Sequence, residues 1–192
     1  TDARAILALA IPALGALVAE PLFILVDSAF VGHVSTAALA GLSIASTILT
    51  TVVGLAIFLA YSTTAAVARA VGAGNMTRAL TKGIDATWLA SLIGLACALV
   101  LGFGADVVIG LFGPRAEVAH EAATYLRISA AGLPAMLMIQ AALGLVRGLQ
   151  DTRITLIIAG VGAVLNVPIN WALIFGLDLG IAGSAIGTLI CQ

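Results

Sequence analysis

The sequence predicts an all-α fold: a polytopic membrane helix bundle of six transmembrane helices, the sixth incomplete. Three observations predict it. Apolar residues are 62% of the 192-residue chain and charged residues only 9%, against about 25% charged in an average soluble domain. Mean hydropathy is +1.21, so polar side chains are too few to cover a water-facing surface. The charges also fall in clusters, separated by runs at least as long as the roughly 20 apolar residues that cross a hydrocarbon core. A net charge of −1 argues against a nucleic-acid partner.

The charge-free gaps place each helix. Helix 1 is predicted over residues 4–31, a run too long for a removed leader peptide. Ser28 to Ala68 contains no Asp, Glu, Lys or Arg, twice the length of one span. The segment Gly32-His33-Val34-Ser35-Thr36 supplies the break, with a glycine, polar groups and an N-cap candidate. Helix 2 is then 36–71, helix 3 84–112, helix 4 120–147 and helix 5 153–177. Helix 6 starts at 179 and is cut at 192. Gly183 and Gly187, four residues apart, suit close helix packing in lipid. Cys97 and Cys191 lie in apolar runs without metal or disulfide-framework spacing.

The loops predict orientation. Arg4 precedes helix 1; Arg69, Arg78 and Lys82 follow helix 2; Arg147 and Arg153 follow helix 4. The alternate loops hold only Arg115, if Arg127 is set aside. The positive-inside rule then places the N-terminus in the cytoplasm.

Against this apolar background, a few polar residues stand out. Glu20 and Asp27 lie seven residues apart, on roughly one helix face. An intramembrane carboxylate is costly and is by default a functional candidate; the alternative is a hydrated helix end. Burial favours a neutral acid and nearby donors favour a carboxylate, so a group poised between them can load and release protons. Pro12 and Pro21 make helix 1 either a moving part or a static kink. Asn166 and Asn170 share one face of helix 5 around Pro168. Their amides suit either cation ligation or interhelical bonding. Thr188 and Tyr125 add a hydroxyl and a phenol. Gly72-Ala73-Gly74-Asn75 lacks the strand and GK[ST] of a phosphate loop and reads as a helix cap and turn. No nucleophile–base motif suggests an enzyme. His33 and His120 lack a second ligand at metal spacing, and no metal or other cofactor is expected.

EPLFILVDSAFVGHVSTAALAGLSIA, RAVGAGN, RGLQDTR, LNVPINWALIFG and GIAGSAIGT occur in that order along the chain. Together they resemble the multidrug and toxic compound extrusion (MATE) family. The first block is most similar to its DNA-damage-inducible protein F branch. The resemblance implies the N-terminal lobe of a twelve-helix transporter, with a second six-helix lobe outside this sequence, and hence a fragment, a truncated form or an incomplete gene product. It also implies export of amphipathic, often cationic drug-like compounds across a bilayer, by exchange for protons or sodium ions, in a bacterial inner membrane.

By the same resemblance, Asp27, Asn166, Thr188 and Tyr125 match a cation or proton site, and Pro12 matches a bending proline. Asn170 stands where many relatives carry aspartate. The lost charge shifts the expectation from sodium, weakly held by Asp27, Asn166 and Thr188, toward protons. Glu20 is a candidate for the substrate cavity. The alternatives are an organic-acid exporter (plant relatives of this branch move citrate), a lipid-linked exporter, and a non-transporting membrane scaffold or fragment. Asp27 is expected to face the lobe interior, reaching Asn166 or Thr188 directly or through water.

Overall fold

The computed structural model describes Leu14, residues 25–150 and residues 152–191, apart from the side chains at 152, 153, 155, 156 and 159. Pro12, Glu20 and Pro21 lie outside the described residues. The described residues form helices joined by short turns, with no strand among them.

The end of the first predicted helix is α1, residues 25–32. It stops at the turn through His33 and Val34. The Ser35 side chain then accepts the Ala38 amide at 2.9 Å and opens α2, Thr36–Leu55. α3, Ile57–Gly72, continues the same span, so the predicted second helix is one crossing with a joint at Ala56. The Ala56 amide is shared between the Val52 and Val53 carbonyls. No proline causes this joint. Thr47 and Thr51 bond back to carbonyls four residues earlier on the exposed face, a pattern that bends helices.

Gly74, at φ +71°, reverses the chain, and the Asn75 side chain caps the next helix at the Arg78 amide. That helix, α4, runs Met76–Gly110. It begins eight residues before the predicted start at 84. The charge pattern locates the membrane boundary, whereas the cap locates the helix end. At 1.5 Å per residue α4 is about 50 Å long, against a core of about 30 Å. In its first turns Arg78, Lys82 and Asp85 are exposed, while Ala79 and Gly83 pack inward.

The predicted fourth helix is likewise two pieces. α5, Ala116–Ala130, and α6, Leu133–Gly148, meet at 52°. Pro134 in the first turn of α6 has no amide to continue the ladder of α5. α7, Thr152–Trp171, passes through Pro168 into a π-helical turn, Ala172–Gly176. α8, Gly180–Cys191, follows a turn with Asp178 and Gly180 at positive φ.

α4 and α3 pack on α6, α2 on α5, and α8 between α5 and α7. Leu59, Ile109, Leu126, Leu133 and Leu137 are buried between them. Trp88, Leu92, Leu99, Phe103 and Val107 of α4 face outward, as a lipid-facing stripe requires. Among the described residues, Thr36–Gly72 and Met76–Gly110 are each long and apolar enough to cross a membrane, and α5 and α6 meet the same test only when the bent pair is taken as one span. The turn at Gly74 and the end of α6 lie at one end of the bundle, which carries Arg69, Arg78, Lys82 and Arg147.

Candidate functional site: a buried carboxylate between four helices

Asp27 is 5% exposed and points into the bundle. Three side chains from three other helices meet it. Asn170 Nδ2 of α7 donates to Oδ1 at 2.6 Å, and Ser184 Oγ of α8 donates to the same oxygen at 2.8 Å. Tyr125 OH of α5 donates to Oδ2 at 3.3 Å, a long contact for two oxygens. Asn170 uses its amide nitrogen twice, also donating to Asn166 Oδ1 at 3.1 Å. Asn166, Asn170 and Ser184 are each no more than 1% exposed.

No cation balances this carboxylate among the described residues. The ion pairs there are Arg127–Asp106, at 2.6 Å, and the looser Lys82–Asp85, at 3.9 Å. Arg127 is two residues from Tyr125 but turns away to line a shallow cleft with Asp106 and His120. Desolvating an unpaired charge costs several kcal/mol, which hydrogen bonds offset only in part. Among the described residues, the Asp27 carboxyl group is thus met by neutral donors only.

A second polar tier lies one helical turn from the first. Ser129 follows Tyr125 on α5 by four residues, Thr188 follows Ser184 on α8 by four, and Asn166 precedes Asn170 on α7 by four. α7 runs opposite to α5 and α8, so all three steps lead toward the basic end of the bundle. Ser129 Oγ, Asn166 Nδ2 and Thr188 Oγ1 are buried without a hydrogen-bond partner, as is Asn170 Oδ1. Buried polar atoms of this kind are usually satisfied by water or an ion. A cation among Asp27, Asn166 and Thr188 would meet one carboxylate, one amide oxygen already engaged by Asn170, and one hydroxyl.

The geometry gathers Asp27, Asn166, Asn170 and Tyr125 into one hydrogen-bonded cluster. Asn166 reaches Asp27 through Asn170 and makes no direct bond to it. Thr188 Oγ1 makes no hydrogen bond of good geometry, although its side chain lies beside both Asp27 and Tyr125; Ser184, one turn earlier, makes the direct bond to Asp27. Ser184 was not among the residues singled out from sequence. It sits in GIAGSAIGT, where a small residue reads as packing, and its four-residue spacing to Thr188 was the available signal.

Comparison with known proteins gives a consistent picture. The family model described as MatE matches residues 12–172. The chain is 28% identical over 194 residues to the probable multidrug resistance protein NorM of Thermotoga maritima, covering 98% of this chain and 42% of that protein. It is 30% identical to the DNA damage-inducible protein F of Escherichia coli, covering 98% and 41%. It is 33% identical to the chloroplastic protein DETOXIFICATION 44 of Arabidopsis thaliana, covering 97% and 38%. Thus the chain spans less than half the length of these relatives. Its backbone superposes on a MATE crystal structure in a bent conformation with TM-score 0.91 at 24% identity, covering 98% of this chain and 42% of that one.

Proposed function

Because the chain belongs to the MATE family of membrane transporters, we propose that it forms the N-terminal lobe of a secondary active exporter that expels amphipathic, cationic organic compounds by antiport against protons. The observation that carries this reading is the burial of Asp27 among neutral donors, with no cation against it among the described residues. A proton on Asp27 removes the only formal charge from this cluster, so loading and unloading change its electrostatics by a full unit. A hydrated cation would need several hard oxygens to replace its water, and Asn170 presents a donor to Asp27 instead of a second carboxylate. Asp27, Tyr125, Asn166, Asn170, Ser184 and Thr188 are the proposed coupling residues. Glu20 is the proposed cavity residue, and Pro12 and Pro21 are the proposed bending points. The basic loops support a cytoplasmic N-terminus, and the bacterial relatives support an inner-membrane location.

The substrate class is tested with the complete transporter in proteoliposomes under an imposed pH gradient. A lipophilic cationic dye is expected to be exported and citrate is not. Export of citrate with no movement of the dye would replace the multidrug reading by the organic-acid one.

A further inference from the structure

We propose that Gly187 of α8 is a positioning residue for the Asp27 site, kept free of a side chain so that the Asn170 amide can bridge Asp27 and Asn166. The inference rests on the assignment of Asp27 as the coupling group and extends it to a residue that touches neither proton nor substrate.

α7 and α8 form an antiparallel hairpin with a readable register. Gly162 lies near the Cys191 carbonyl, Asn170 opposite Gly187, and Leu173 opposite Gly183. A methyl group built on Gly187 falls onto Asn170 Oδ1, well inside van der Waals contact. The Asn170 side chain is fully buried and has little room to yield. Its amide is also constrained on the other edge. Both hydrogens of Nδ2 are in use, toward Asp27 Oδ1 at 2.6 Å and Asn166 Oδ1 at 3.1 Å. A planar amide with its nitrogen edge held by two acceptors must send its oxygen the opposite way, which here is into α8. A side chain at 187 therefore rotates the amide and breaks one or both bonds.

Gly183, four residues earlier, has a different job. A methyl there meets the Leu173 carbonyl carbon and oxygen at 2.8 Å, which is backbone packing with no polar side chain involved. The shared spacing thus covers two separable roles. Among the described residues, the titratable groups facing the cluster are Asp27, Tyr125 of α5 and Cys191 of α8, whose thiol lies beside Asn166.

The test is a double-mutant cycle in the complete transporter, with Gly187→Ala, Asn170→Ala, the pair together, and Gly183→Ala as the packing control. Proton-driven efflux is measured across a pH series, and thermal stability in detergent alongside it. Gly187→Ala is expected to lower efflux on the order of tenfold, the worth of a hydrogen bond to a charged group. It should move the pH midpoint by the same amount as Asn170→Ala. The pair should match Asn170→Ala alone, because no amide remains for the methyl to displace. Gly183→Ala should lower stability, and its effects should add to those of Asn170→Ala when the two are combined. Additive effects of Gly187→Ala and Asn170→Ala on midpoint and rate would overturn the proposal. If Gly187→Ala alone does not accumulate, recovery on adding Asn170→Ala supports it and continued failure refutes it. Should Asp27→Asn retain proton-driven export, the coupling assignment fails. Non-additivity in thermal stability would still report on the positioning of Asn170.

Discussion

Replacing Asp27 by asparagine is expected to reduce proton-driven export by the complete transporter to background while leaving membrane insertion and helix packing intact. The geometry explains why the fold should survive. The new amide oxygen can take the place of Oδ1 and accept from Asn170 and Ser184. The new amide nitrogen then faces the Tyr125 hydroxyl, which can accept as readily as donate. Size and hydrogen bonding are thus retained, and only the ability to change charge is lost. Membrane-fraction yield and detergent melting temperature measure the first part; dye efflux under a pH gradient measures the second. Wild-type efflux would remove Asp27 from the coupling role. A collapse in yield would show that its charge serves folding instead.

A large effect is also expected outside the hydrogen-bonded cluster, at Gly94. A methyl built there meets Pro134 Cα at 2.5 Å, Pro134 N at 2.8 Å and the Leu133 carbonyl oxygen at 2.9 Å. All three atoms are backbone, so no side-chain rotation relieves the contact, and α4 must move away from the bend between α5 and α6. Gly94→Ala should destabilise the lobe by about 1–3 kcal/mol, the usual range for overpacking, or more. Gly104 lies on the same helix with open space around its Cβ position. There Ala should be neutral or slightly stabilising, since alanine is favoured over glycine in a helix by about 1 kcal/mol. Thermal unfolding in detergent separates the two variants, and equal melting temperatures would contradict the packing argument.

The parts of this structure that could be read from sequence are those with a large free-energy signature. Asp27 stood out because a carboxylate in an apolar run is expensive, and Asn166 and Asn170 because paired amides share a helix face. The Gly32–Thr36 break was readable because a gap of two span lengths must fold back and a cap was available to do it. The start of α4 was missed because hydrophobicity ends at the membrane, whereas a helix capped by Asn75 continues into water. The bend between α5 and α6 lay in Gly132-Leu133-Pro134, a strong local signal in a run that hydropathy alone treats as continuous. Ser184 and Gly187 were the hardest. Their importance comes from the register between α7 and α8, and one helix's spacing says nothing about which residue of the other it meets.

The central claim is that Asp27 couples export to protons without needing sodium, and efflux from proteoliposomes under separately imposed gradients tests it most directly. The complete transporter is reconstituted and loaded with a cationic dye. A pH gradient, a sodium gradient or neither is then applied. The account predicts export under the pH gradient alone, no added export under the sodium gradient, and a gain of sodium sensitivity in Asn170→Asp, which supplies the second carboxylate. Export that requires the sodium gradient and is indifferent to pH would contradict it.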